Sequence, residues 1–535
     1  MTMKLSVRLY ANEDGLGPAI GIYYVVKGLV EAFRDDERFR EHQLDLAVQC
    51  TRVRDTKNAC AVLLRNNGFP PPIAPGETRV LEDAPSRIRL ALINKSGGFS
   101  LGKKQGTLSK QDTKNNLQRW LEGLDGEGGE IEREKQEIRG QMSGNAQTFA
   151  VVSFGAPTAL HAASQAGVQH LIEVFDHAWS HTLAKIFAED QLDPPVGAAI
   201  ERLEEMERCA GHVYLFPEYL CPSQYYAYWA GRVKSVIRIP GVLGGLPEVF
   251  VTRDGSGQNQ GELANPPGGR DAHKTETKDR PFEPSKISTG KLVEARRLAR
   301  GAARAWLTEQ LRMWDEELFG TGAPPLDLDT LTQLVLVQGG DTPVWEGYLA
   351  RLIQSLREAE QRGALHYSVL FSHNAADRAW SNYMQARGRT AKTTLAEFLS
   401  GSVRIRTLDN KFFPDFQSVY WAADMIYSRG GGITANDAVA TMTPLTVVEE
   451  LGHWQTEQIR ELCSLAGFSH TVSLRTFFEA EYGVISMYLF KEHAGMVEAM
   501  GRQKSHQELW LGRQILDQLL PPPQPQPVIP GRPTI

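Results

Sequence analysis

The chain has 535 residues, 41% of them hydrophobic and 23% charged, with a formal net charge of −6. That length exceeds one ordinary hydrophobic core and predicts two α/β domains with insertions. The charge balance offers no broad footprint for nucleic acid, no apolar run reaches the length of a bilayer span, and MTMKLSVRLYANEDG lacks an apolar signal core, so a cytoplasmic protein is expected.

In chain order, KLSVRLYA reads as a strand, EDGLGPAIG as a glycine-bearing turn and IYYVVKGLVEAF as a helix, the opening unit of a nucleotide-type fold. LDLAVQC, FAVVSFGA and HLIEVF read as further strands, with helices TALHAASQAG and DHAWSHTLAKIFAE after the last two. VYLFPEYL and SVIRIPGVLG close this first domain, residues 1–250. The stretch 95–147 is rich in Lys, Glu, Gln and Gly and reads as an insertion carrying one charged helix. Residues 251–330 form a polar linker. Within it LVEARRLARGAARAW has helical spacing, with its arginines on a solvated face or, as the alternative, on anionic lipid or a partner protein.

A second alternating run occupies 331–500: LTQLVLVQGGD, the helix VWEGYLARLIQSLREAE, the strand HYSVLFSH, then VRIRTLD, SVYWAADM, MIYSRG, a helix from about Thr434, and PLTVVEE. Residues 501–535 hold a last helix and the tail LLPPPQPQPVIPGRPTI, read as an inert extension or a ligand for a proline-binding domain. The fold class predicted is therefore α/β, two Rossmann-like doubly wound domains facing a cleft, with polar insertions. Five cysteines, at 50, 60, 209, 221 and 463, lack the paired spacing of a zinc site or a disulfide framework and read as reduced thiols.

The most informative segment is DMIYSRGGGITANDAVATMTPLTVVEE, where an apolar strand runs into Gly430, Gly431 and Gly432 and then a helix. Glycines let a ligand approach the backbone, and unpaired amides with the helix dipole favour an anion. A purely structural turn, with Thr434 and Asp437 as a capping box, is the competing reading. The following EELGHWQTEQIREL places His453, Trp454, Gln455, Glu457 and Gln458 at the same sheet edge, where they could stack on a sugar, bond its hydroxyls, or merely cap a helix.

Taken together, the arginine, glycines, threonine, acid, proline, strand and Gln-bearing loop resemble the donor site of GT-B glycosyltransferases, and among them the bacterial peptidoglycan N-acetylglucosaminyltransferases. The resemblance extends to LVLVQGGDTPVWEG, to AVVSFGAPTALHAASQAGVQHLIEVFDHAWSHTLAKIF and, weakly, to IRIPGVLGG. It implies Arg429, Gly430, Gly431, Gly432 and Thr434 on a diphosphate, joined by Gly339, Gly340 and Thr342. It implies Asp437 on the ribose and His453, Gln455 or Gln458 on the sugar. Asp437 stands where that family has a glutamate. Gly15 and Gly17 mark the acceptor-side turn, where Pro18 occupies the neighbourhood of a family histidine. The base then moves to Glu13, Asp14, Asp176 or His177, with the Asp176–His177 pair preferred, although an Asp–His pair capping a helix would look the same. The activity implied is inverting transfer of a sugar from a nucleotide-diphosphate donor, a UDP-sugar first, to an acceptor hydroxyl. No cofactor or metal is expected, since Asp341 precedes Thr342 and Pro343 rather than a second acid. Alternatives are a catalytically silent nucleotide-sugar-binding protein or subunit, a nucleotide-sugar epimerase and, further off, an NAD-dependent dehydrogenase, for which GLGPAIG is a loose fingerprint.

Overall fold

The computed structural model describes residues 3–12, 16–50, 52–53, 57–58, 78–83, 86–94, 101–104, 107–142, 148–188, 193–244, 296–309, 312, 333–338, 367–372, 405–408, 416–428, 430–449, 454–473 and 495–520.

The N-terminal sheet contains β1 (Lys4–Ala11), β2 (Gln43–Cys50), β5 (Thr78–Asp83), β6 (Ser86–Asn94), β9 (Thr148–Phe154), β10 (His170–Phe175), β11 (His212–Leu215) and β12 (Ser235–Arg238). Two short ladders, β3 (Arg52–Val53) with β4 (Lys57–Asn58) and β7 (Lys103–Lys104) with β8 (Thr107–Leu108), lie outside it. Its order is β12-β11-β10-β9-β1-β2-β6-β5, with every pairing parallel except the edge hairpin of β5 and β6. The second sheet, β13 (Gln333–Gln338), β14 (Tyr367–Ser372), β15 (Ile405–Leu408), β16 (Met425–Ser428), β17 (Leu445–Glu449) and β18 (Ser469–Ser473), runs β15-β14-β13-β16-β17-β18, all parallel. Each sheet is doubly wound, as the alternating pattern predicted. The chain reverses direction across the sheet between β1 and β9 and again between β13 and β16. A ligand of such a sheet sits at the carboxyl ends of the strands at that reversal.

Covered on both faces, a central parallel strand must be apolar nearly throughout. β9 is buried from Phe149 onward. β1 departs from the rule at Arg8, which is 0% exposed. Its partner explains it. The polar stretch between β8 and β9 holds not one helix but two, α2 (Lys110–Leu124) and α3 (Glu130–Met142). Helix α3 turns Ile131, Glu134 and Ile138 inward at helical spacing. Glu134 then lies 2.7 Å from the Arg8 guanidinium and also accepts a hydrogen bond from Tyr10 Oη, while Glu137 adds a contact at 2.9 Å. The charged stretch is part of the wall of the first domain.

After β1 comes α1 (Leu16–Asp35); after β9, α4 (Pro157–Ala166); after β10, α5 (Trp179–Ile186) and α6 (Pro194–Glu207); after β11, α7 (Ser223–Ala230). Residues 296–309 are helical, and Arg296, Arg300 and Arg304 turn to protein while Arg297 is exposed. Arg296, 7% exposed, donates to the carbonyls of Met442 and Ala423, and Arg304, 5% exposed, to the carbonyl of Ala422. Both Arg300 and Arg304 also pair with Asp424. These cations close the carboxyl end of α9 (Phe416–Ala422), counting 296–309 as α8, where unpaired carbonyls carry partial negative charge. The expected solvated or lipid-facing arginine stripe is corrected accordingly.

The second domain continues with α10 (Gly432–Ala440) and α11 (Trp454–Leu465), and α12 (Gln507–Leu519) then crosses back to pack on α1. Two glycines make the crossing close. A Cβ on Gly28 would meet Glu508 O at 1.9 Å, and one on Gly512 would meet Gly28 O at 2.1 Å. Lys27 and Glu508 form an ion pair at 2.7 Å beside that contact. The same Glu508 accepts from the Gly244 amide where the chain leaves the first domain.

Candidate functional site

Four strand ends meet at the boundary between the domains. β1 ends at Ala11, and Asn12 N donates to Phe154 O at the end of β9. α1 then starts at Leu16, while β16 ends at Ser428 and α10 starts at Gly432. The two helix starts face each other: a Cβ on Gly17 would lie 3.7 Å from Ile433 Cγ1. Between them stands the turn after β10. A Cβ on Gly432 would lie 2.3 Å from Asp176 Oδ2, so only glycine lets that carboxylate rest against the first turn of α10. The N-cap of α10 is Gly431, with no side-chain cap. The competing reading, a capping box of Thr434 and Asp437, is therefore not realised, and the helix start is left to other partners.

Asp176 is 7% exposed and His177 1%. His177 Nδ1 lies 2.6 Å from Asp176 Oδ1. An ionised carboxylate can only accept, so the proton of a neutral imidazole sits on Nδ1 and Nε2 carries the lone pair. The ring is held by Phe175 at 4.1 Å, by Trp179 edge-on at 4.5 Å and by Tyr225 at 6.1 Å. The imidazole and the carboxylate are thus held in fixed orientation beside the start of α10.

Two buried acids lie beneath. Burial raises Glu173, at the middle of β10, to about 8, against hydrogen bonds from Ser153 and the Gly155 amide that lower it. Burial likewise raises Glu207, which accepts from Ser180 and Tyr228.

The structure brings together Gly17, Asp176, His177, Gly430, Gly431, Gly432 and Thr434. Gly430 has φ +82°, a conformation suited to glycine, and its amide donates to Ser428 Oγ at 3.2 Å. Asp437, expected on a ribose, is 1% exposed, and its Oδ1 accepts from Tyr24 Oη of α1 at 2.6 Å. Gln417 donates to the same tyrosine oxygen, and Asn436 exchanges two hydrogen bonds with the backbone of Leu243. Gln458, expected on the sugar, donates to Leu220 O of the first domain at 2.9 Å. Both side chains thus tie one domain to the other. Asp14, Gly15, Gly339, Gly340, Thr342, Arg429 and His453 lie outside the described residues, as does the side chain of Gln455. Sequence reasoning missed Tyr24, Asn436 and Glu173. A lone acid in HLIEVF was a signal for Glu173, whereas nothing local marks Tyr24.

No protein-family model matches the chain, and no curated protein matches it. Among solved structures it is similar to Acinetobacter baumannii MurG, at 12% identity over 96% of this chain and 99% of that one, with a TM-score of 0.41. It is similar to a UDP-glucosyltransferase from Polygonum tinctorium at 10% identity over 97% and 98%, TM-score 0.49. A third likeness is to the UDP-GlcNAc 2-epimerase from Methanocaldococcus jannaschii, at 10% over 97% and 99%, TM-score 0.45. Likenesses this slight assign neither an activity nor a residue's role; the description of the fold rests on the strand order itself. Among the described residues no helix is long and apolar enough to cross a membrane.

Proposed function

We propose that this chain is a nucleotide-sugar-handling enzyme, a transferase that moves a sugar from a nucleotide-diphosphate donor to an acceptor hydroxyl with inversion. The observation that carries the proposal is the meeting of two glycine-bearing helix starts, at Gly17 and at Gly431–Gly432, around the Asp176–His177 pair. A pyrophosphate bears the negative charge such helix starts favour, and as a leaving group it gains negative charge during transfer. His177, oriented by Asp176, would take the acceptor proton at Nε2, and Asp176 would stabilise the imidazolium that forms. Helix dipoles would support the leaving diphosphate without a metal, with Arg429 joining them. A UDP-sugar is the first donor to try.

Calorimetric titration of UDP-, GDP- and dTDP-sugars into the full chain tests the reading. Binding by at least one donor is expected, weakened tenfold or more in Gly432→Val, whose side chain would displace Asp176 and block the helix start. Absence of binding by every donor refutes the site. NMR of the sugar after incubation with donor alone distinguishes the epimerase, which inverts a sugar carbon with no acceptor present. Binding with no turnover, and no effect of His177→Ala on affinity, marks the silent binding protein.

A further inference from the structure

Glu173 is a lone acid in an apolar strand, 3% exposed and flanked in register by Ser153 of β9 and Val213 of β11. Its Oε1 accepts from the Gly155 amide at 2.7 Å. Gly155 makes the turn after β9 with φ +70°, and a Cβ there would meet the Phe175 ring at 2.4 Å, so the position admits only glycine. The carbonyl of the same Gly155 accepts from Trp179 Nε1 at 2.9 Å, and the Trp179 ring in turn meets His177 edge-on. A continuous path runs from Glu173 through the backbone of Gly155, its amide on one side of the Cα and its carbonyl on the other, and through one indole to the imidazole.

We infer that Glu173 is a positioning residue for His177, acting through the backbone of Gly155 and the Trp179 indole, so that a change at its carboxyl displaces both rings. The inference rests on the proposed function only in treating His177 as the reacting group. The titratable group that faces Glu173 is Glu207 of α6, itself bonded to Ser180 of α5 and Tyr228 of α7; Asp176 and His177 follow in the turn after β10. From β9 come the uncharged Ser153 and the Gly155 amide, and from β11 the apolar Val213. A carboxylate formed there is buried beside a second acid, and no cation is among the described groups acting on it. Relief requires water or movement of the turn, and Trp179 moves with the turn.

The test uses the full chain labelled with 5-fluorotryptophan, with Trp179→Phe assigning the resonance, alongside the His177 ring signals. In the wild type both are expected to shift together in a step centred near pH 8. In Glu173→Gln, which keeps an acceptor for the Gly155 amide but cannot ionise, that step disappears. In Glu173→Leu the low-pH Trp179 position is lost at every pH. A wild type with no step, or a glutamine variant that keeps it, overturns the inference. Turnover separates the two readings. A failed transferase leaves the NMR step intact with no product, whereas a failed positioning role leaves the pH profile of kcat identical in wild type and Glu173→Gln.

Discussion

Replacing Glu134 by leucine tests whether the polar helix α3 is structural. The Arg8 guanidinium is 0% exposed and lies 2.7 Å from Glu134 and 2.9 Å from Glu137, whose side chain is 47% exposed. Breaking a buried ion pair from one side costs about 3–5 kcal/mol, because the other charge is left without compensation. Glu137 remains in contact and recovers part of this, so we expect about 2–3 kcal/mol. For a domain of this size each kcal/mol is worth about 2–4 °C, which gives a fall in Tm of about 4–12 °C. Thermal unfolding by calorimetry reads it, compared within the transition of the first domain because a two-domain chain does not unfold as one unit. Combining Glu134→Leu with Arg8→Met removes both charges, and the double variant should lie within about 1 kcal/mol of wild type. Wild-type stability in Glu134→Leu alone, or penalties that simply add in the double variant, would refute the argument that α3 is seated by Arg8.

Glu173→Gln should change the pH dependence of stability. The folded carboxyl is raised to about 8 from an ordinary 4.5, so the folded state holds a proton that the unfolded state releases, and wild-type stability falls as pH rises from about 4.5 to about 8. The glutamine variant lacks this fall, so its Tm should exceed the wild type's near pH 8; parallel Tm curves from pH 5 to pH 9 would contradict it. Glu508 behaves in the opposite sense: burial raises it, but Lys27 and His506 outweigh this and hold it well below the carboxylate range. Its stabilisation is present above about 4.5 and lost as pH falls, and Glu508→Gln should lower Tm at neutral pH by the equivalent of about 2–4 kcal/mol. Gly28→Val should lift α12 from α1, since even a Cβ there would fall 1.9 Å from a backbone oxygen; limited proteolysis near residue 505 should then accelerate, and unchanged protection would argue against the close crossing. Tyr24→Phe removes the hydrogen bond to Asp437, about 1.5–3 kcal/mol for a bond to a charged acceptor, and small-angle scattering should show a wider molecule if that contact holds the domains together.

Much of this architecture is legible in the amino-acid order because its signals are local. Apolar runs such as FAVVSF and QLVLVQ, separated by helical periodicity, announce parallel strands covered on both faces, and the three glycines after MIYS announce a turn that brings backbone close to something. Local signals also misled. Polarity made 95–147 read as an insertion with a single charged helix and the arginines of 296–309 as solvated, because composition does not reveal that Arg8 requires a carboxylate or that the end of α9 requires cations. Tyr24 meets Asp437 across 413 positions of sequence, Gln458 meets Leu220 across 238, and Asp176 rests on a helix start belonging to the other domain. Periodicity tells which face of a helix is apolar, but not which neighbour that face will meet or how far each helix is turned about its axis. Only the packing of the two sheets' helices against one another fixes that rotation, and with it which polar side chains bind the domains together and which remain beside the glycine turn.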